Sequence, residues 1–325
     1  MAGLTLLGWV CRRCVAREFL KTMTTKVSSS LEASAVSAPE AVTLTTADGY
    51  NIAAFKYAAL GQLKGHLVMA GATGVPQGFY RRFAEYASTQ GFTTLTLDYR
   101  GIGLSKPKTL RGFRMDYLDW ARQDIAAAVE AMASPDMPLF MVGHSYGGHA
   151  LGLLPNHHRV TRFYTFATGA GWHGWMPPLE RVKVQLMWNV IGPLLTRWKG
   201  YLAWSKLGMG EDLPLGVFQQ WRSWCRFPRY FFEDPAMSHL AEQFAQVRTP
   251  IVAANALDDL WAPPKSRDAF MQAYGSAQVV LHDIDPKHSG PIGHMGYFRN
   301  TAKPLWDQVF AWFNEAGEPS VVLRN

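Results

Sequence analysis

The chain has 325 residues, of which 48% are apolar and 18% charged, and it carries a formal net charge of +7. That is enough apolar material for a substantial core, which excludes a wholly disordered chain, and the basic excess forms no long Lys/Arg run of the kind a nucleic-acid surface needs. Three cysteines, Cys11, Cys14 and Cys225, are too few for a disulfide framework, and no apolar run is long enough to span a bilayer, so stable membrane insertion is not expected.

In chain order, Met1 to Val10 is apolar, but Cys11-Arg12-Arg13 follows it. A secretory signal places its positive charge before the apolar stretch, so the order argues against export and for a cytoplasmic protein. Met23-Thr24-Thr25-Lys26 reads as a more ordinary start, which makes residues 1–22 an over-extended beginning. Cys11 and Cys14 have no second ligand pair nearby and read as incidental. Residues 1–40 as a whole are expected to be a flexible extension.

From Ala41 the texture changes. Ala41 to Thr46 and Asn51 to Ala58 alternate in strand fashion around Asp48-Gly49, which predicts a hairpin. Strand, loop and helix then repeat. Strands are expected at His66–Ala70, Phe92–Leu97, Leu139–Val142 and Phe163–Ala167. Helices are expected at Phe79–Gln90 and Met115–Met132, with another opening at Tyr146. Between Gly171 and about Arg248 the rhythm breaks into an aromatic, helical stretch that holds seven tryptophans, among them Trp188, Trp204, Trp221 and Trp224. It returns with strands at Pro250–Asn255 and Val279–Ile284 and helices at Lys265–Ala273 and Thr301–Ala316. The pattern predicts an α/β fold, a mostly parallel sheet with helices on both faces. Its core spans residues 41–170 and 249–325 and is interrupted by a helical Trp-rich insert at 171–248.

The chemistry centres on Gly143-His144-Ser145-Tyr146-Gly147. It follows the apolar run Leu139-Phe140-Met141-Val142 and opens a small-residue stretch. A sharp strand-to-helix turn there holds the serine in a strained backbone with its hydroxyl clear of the sheet, and the glycines make room for neighbouring backbone. A serine hydroxyl needs a base to become nucleophilic. On such a sheet the acid and the histidine follow the serine in that order, each after a later strand. Asp258-Asp259 and Gly293-His294 stand after the strands at 250–255 and 279–284.

With Asp98-Tyr99-Arg100-Gly101-Ile102-Gly103-Leu104-Ser105, these motifs resemble the α/β-hydrolase fold, close to bacterial members of poorly defined substrate related to the serine aminopeptidase-like group. The resemblance covers roughly residues 41 to 316. It implies a catalytic triad of Ser145, Asp259 and His294. Asp259 is favoured over its neighbour Asp258 because it stands four residues before Pro263. His282 lies within a strand, and His288 lacks the preceding glycine. His144 is expected in the wall of the turn, facing away from the serine hydroxyl. The resemblance also implies an oxyanion hole from the backbone N–H groups of Tyr146 and, by alignment, Ala72. Here the chain has Ala70-Gly71 where the family usually has His-Gly. No metal or cofactor is required. The insert is expected to act as a cap lining an apolar pocket, or simply to pack as a small subdomain. The expected activity is hydrolysis of a small apolar carboxylic ester. An amidase, peptidase, thioesterase or acyltransferase on the same triad, or a silent binding module, stays open, as does the oligomeric state.

Overall fold

Stretches such as Gly65–Ala70 and Leu139–His144 are apolar on both faces, and a strand of that composition is stable only in the middle of a covered sheet. The computed structural model, which describes residues 38–317, places them there. The expectations for residues 1–22 and for the Cys11/Cys14 pair lie outside the described residues. Eight strands form one sheet: β1 (Glu40–Thr45), β2 (Asn51–Tyr57), β3 (Gly65–Ala70), β4 (Phe92–Leu97), β5 (Leu139–His144), β6 (Arg162–Phe166), β7 (Ile251–Ala256) and β8 (Val279–Ile284). Their order is β1-β2-β4-β3-β5-β6-β7-β8. The expected hairpin turns at Asp48-Gly49, where Gly49 has φ 83°, and pairs antiparallel with itself and with β4. All the other pairings are parallel.

Helices cover both faces. They are α1 (Arg81–Thr89), α2 (Ala126–Met132), α3 (Tyr146–His149), α4 (Pro178–Leu186), α5 (Gly192–Lys199), α6 (Leu215–Trp224), α7 (His239–Ala245), α8 (Pro264–Met271), α9 (Pro286–Ser289) and α10 (Lys303–Asn314). Aromatic packing seals α1 and α10 to one face. Phe83, Phe92, Phe140, Trp306, Phe310 and Phe313 are all buried there. The other face is covered by α2 and α8, and the insert joins the same buried cluster.

Two expected helices differ. The one expected at Met115–Met132 begins only at Trp120, with a π-helical turn over Trp120–Ile125 that leads into α2. Before it, the Asp119 carboxylate accepts a hydrogen bond from the Asp116 N–H at 2.8 Å, the bond by which a third-position side chain caps a helix start, and this sets the start beyond Met115. The helix after Ser145 is a single turn followed by a 3-10 turn over Leu151–Leu153. Its glycines are pressed against the sheet, and a Cβ on Gly147 would lie 2.1 Å from the Ala70 carbonyl oxygen.

The motif around Asp98 is structural. Asp98 accepts from the Gln77 N–H at 2.7 Å and the Leu104 N–H at 3.0 Å. Buried Arg100 binds Asp124 and Asp48. Within the insert, Trp188, Trp204, Trp221 and Trp224 pack with Phe218 and Tyr230. Among the described residues its one sheet-like contact is a bridge between Leu202 and Leu213.

Candidate active site

Register brings the pieces together. Ala70 stands opposite Gly143 and His144 opposite Phe166, so the loop after β3 and the turn after β5 lie side by side at one end of the sheet. Ser145 takes φ 52° and ψ −110°, a conformation that a non-glycine residue rarely adopts. It is locked by its own N–H, which donates to the Phe166 carbonyl at 2.9 Å, and by the Gly147 N–H, which donates to the Gly71 carbonyl at 3.1 Å.

The loops after β7 and β8 supply the other two groups. His294 Nε2 lies 3.1 Å from Ser145 Oγ, and its Nδ1 lies 3.1 and 3.0 Å from the two oxygens of Asp259. A carboxylate only accepts, so Nδ1 carries the hydrogen and Nε2 turns its lone pair to the serine hydroxyl. Asp259 is fully buried. Burial alone would push its carboxyl up. The facing His294 and the N–H groups of Ala262 and Trp261, each 2.9 Å away, outweigh that and hold the carboxyl below its ordinary range. Asp258 points elsewhere, and its Oδ2 accepts from the Ile292 N–H at 2.9 Å.

The two expected oxyanion donors differ in state. Tyr146 heads α3, where an N–H has no intrahelical acceptor. The Ala72 N–H is already engaged and donates to the buried Tyr80 hydroxyl at 2.7 Å. In this structure Ala72 therefore departs from the free donor that alignment implies. The Tyr80 hydroxyl continues to His144 Nδ1 at 2.9 Å, and His144 Nε2 lies 2.9 Å from the His294 carbonyl oxygen. A carbonyl only accepts, so His144 donates from Nε2 and receives the Tyr80 hydrogen at Nδ1. Burial, with His294 nearby, holds the His144 pKa at about 3, so the ring is neutral. The sequence places His144 in the wall of the turn, but nothing local marks Tyr80, whose partner lies 64 residues away.

Above Ser145 lies a cavity of about 280 Å³, lined by Ala72, Thr73 and Ser145, by Trp261 and His294, and by insert residues that include Met176, Trp188, Trp204 and Trp221. Cys225 lines it too, as a buried thiol pushed up by its burial. Among the described residues no cluster of His, Cys, Asp or Glu is arranged to hold a metal ion.

Comparison with known proteins finds chains similar to this one. Residues 61–203 match the family model described as serine aminopeptidase, S33. A monoglyceride lipase of Saccharomyces cerevisiae is 24% identical over 249 residues, 68% of this chain and 75% of that protein. The crystal structure of a soluble variant of the S. cerevisiae monoglyceride lipase, in complex with a substrate analogue, superposes with a TM-score of 0.64 at 17% identity, covering 88% of this chain and 98% of that one. An α/β-hydrolase from Penicillium sp. sh18, GrgF, superposes with a TM-score of 0.58 at 16% identity, covering 86% of this chain and 99% of the other. At these identities the structural likeness is one of fold.

Proposed function

Since this chain belongs to the α/β-hydrolase superfamily, we propose that it is a serine hydrolase cleaving carboxylic esters with an apolar acyl or alkyl part, through an acyl-enzyme on Ser145. The observation that carries this reading is the hydrogen-bonded series Ser145 Oγ, His294, Asp259 at the foot of a largely apolar cavity.

On this reading Ser145 Oγ attacks the carbonyl carbon while His294 Nε2 takes the hydroxyl proton. The tetrahedral centre collapses, the C–O bond to the alcohol breaks, and His294 gives its proton to the departing oxygen. A water molecule then repeats the sequence, losing a proton to His294 and releasing the acid as Ser145 recovers its own. Asp259 orients the ring and stabilises its charged form. The Tyr146 N–H is the first donor to the oxyanion. The Ala72 N–H can be the second once the Tyr80 oxygen yields or shares it. The insert acts as a cap, since its tryptophans form the cavity wall facing the serine.

The test is labelling with a fluorophosphonate beside a Ser145→Ala control, followed by p-nitrophenyl esters of rising chain length. We expect labelling of the native protein only and turnover that rises with chain length. Full labelling of Ser145→Ala would remove the site. Labelling without ester turnover would move the activity to amide cleavage or acyl transfer.

A further inference from the structure

We propose that the outer face of the insert segment 178–199 docks on the surface of a bilayer containing anionic phospholipid. The segment is one continuous rod: α4, a π-helical stretch over Met187–Ile191, then α5. Leu179, Val182, Leu186, Val190, Leu194 and Trp198 project from it into solvent, with exposures from 46% at Val190 to 67% at Leu179. Their spacing is three residues and then four throughout, which lines them up on one face. Four-residue steps overshoot a 3.6-residue turn, and the wider π turns in the middle undo part of that drift. The opposite side buries Val184, Met187 and Trp188 and needs no second partner.

Single exposed apolar residues are ordinary, but six in one row are not. Charge selects the occupant. Over residues 178–210 there are five cations, Arg181, Lys183, Arg197, Lys199 and Lys206, against the single carboxylate Glu180. Just beyond, Glu211 is paired with Lys106. Lys199 Nζ sits 3.9 Å from the centre of the Trp198 ring, which puts an aromatic body and a cation at the same level. An apolar row flanked by cations fits a lipid surface with negative headgroups. The face also leads inward. A second cavity of about 460 Å³ is lined by Lys183 and Leu186 from this rod, and it shares Trp188, Trp204, Met209 and Trp261 with the cavity above Ser145. The docking stands on the face itself. Its purpose, passing an apolar ester from lipid toward Ser145, rests on the ester reading.

The full chain is sedimented with phosphatidylcholine vesicles with and without phosphatidylserine, at low and high salt, beside a Leu194→Ser/Trp198→Ser variant and an Arg197→Glu/Lys199→Glu variant. Each preparation is also assayed on water-soluble p-nitrophenyl acetate. The native chain is expected to pellet with the phosphatidylserine vesicles and to be released by salt. Both variants should bind about tenfold or more weakly. Their turnover of p-nitrophenyl acetate should match that of the native chain. A native chain that stays in the supernatant with both vesicles, or variants that pellet as it does, would overturn the docking. So would a native dimer that the serine variant converts to monomer without any vesicle binding, because the face would then belong to a second copy. Vesicle binding with no ester turnover in any preparation would support the docking while removing the ester reading.

Discussion

Tyr80 and His144 tie together two loops that the sheet leaves independent. One end of their hydrogen-bond series holds the Ala72 N–H and the other the His294 carbonyl, both beside the serine. Tyr80→Phe removes the hydroxyl and leaves a buried N–H and a buried ring nitrogen without partners, a loss of about 1–3 kcal/mol in stability. We expect kcat on a short ester to fall about tenfold with KM little changed, because the loop carrying His294 loses its anchor and the misplacement outweighs the release of the Ala72 N–H. An unchanged kcat would reduce Tyr80 to a restraint on Ala72. The same series makes the protein sensitive to acid. His144 has an ordinary value of 6.5 and is held at about 3 by burial, so the unfolded chain takes up a proton that the folded chain refuses. Between these limits stability rises with pH, and it is lost as pH falls through that window, by up to about 5 kcal/mol. Urea midpoints measured at pH 7 and pH 4.5 should converge more in His144→Gln than in the native chain. Ser145, Asp259 and His294 were legible because each stands in a local pattern of glycine or proline after an apolar strand. Tyr80 has no such pattern, and its role exists only through contacts made by the folded chain.

At the scale of elements, the turn after β5 is the least tolerant of change. A Cβ on Gly147 would lie 2.1 Å from the Ala70 carbonyl oxygen, and one on Gly143 would lie 2.6 Å from the Gly147 backbone. Neither neighbour is a flexible side chain, so the turn of α3 would have to lift away from β3 and β5. Gly147→Ala is expected to cost about 3 kcal/mol or more, read as a lowered urea midpoint together with loss of fluorophosphonate labelling. The inner strands β3, β5 and β7 were readable from their apolar runs, since a strand covered on both faces has few other solutions. The break before Trp120 was not, because Met115 to Met132 keeps helical spacing while an aspartate pair redirects its start. The row from Leu179 to Trp198 shows the same limit. Apolar residues at helical spacing look alike whether they face a core or solvent, and only the packed structure separates them.

At the scale of the molecule, the sheet is clamped by two different layers. On one side α1 and α10 close over it with interlocked aromatic rings, Phe310 standing 5.5 Å from Phe83 and 5.2 Å from Phe92. Phe310→Ala should cost about 3–5 kcal/mol, measured by urea unfolding, while kcat below the unfolding range stays at the native value, because α10 contributes nothing to the cavity above Ser145. On the other side α2 and α8 cover the sheet; the insert leaves after β6 and the chain rejoins the sheet at β7, whereas the proposed catalytic side chains follow β5, β7 and β8. The rods that shape the cavity thus share no backbone with the residues that would break the bond. Such a division leaves the pocket wall open to reshaping without moving the three side chains beneath it.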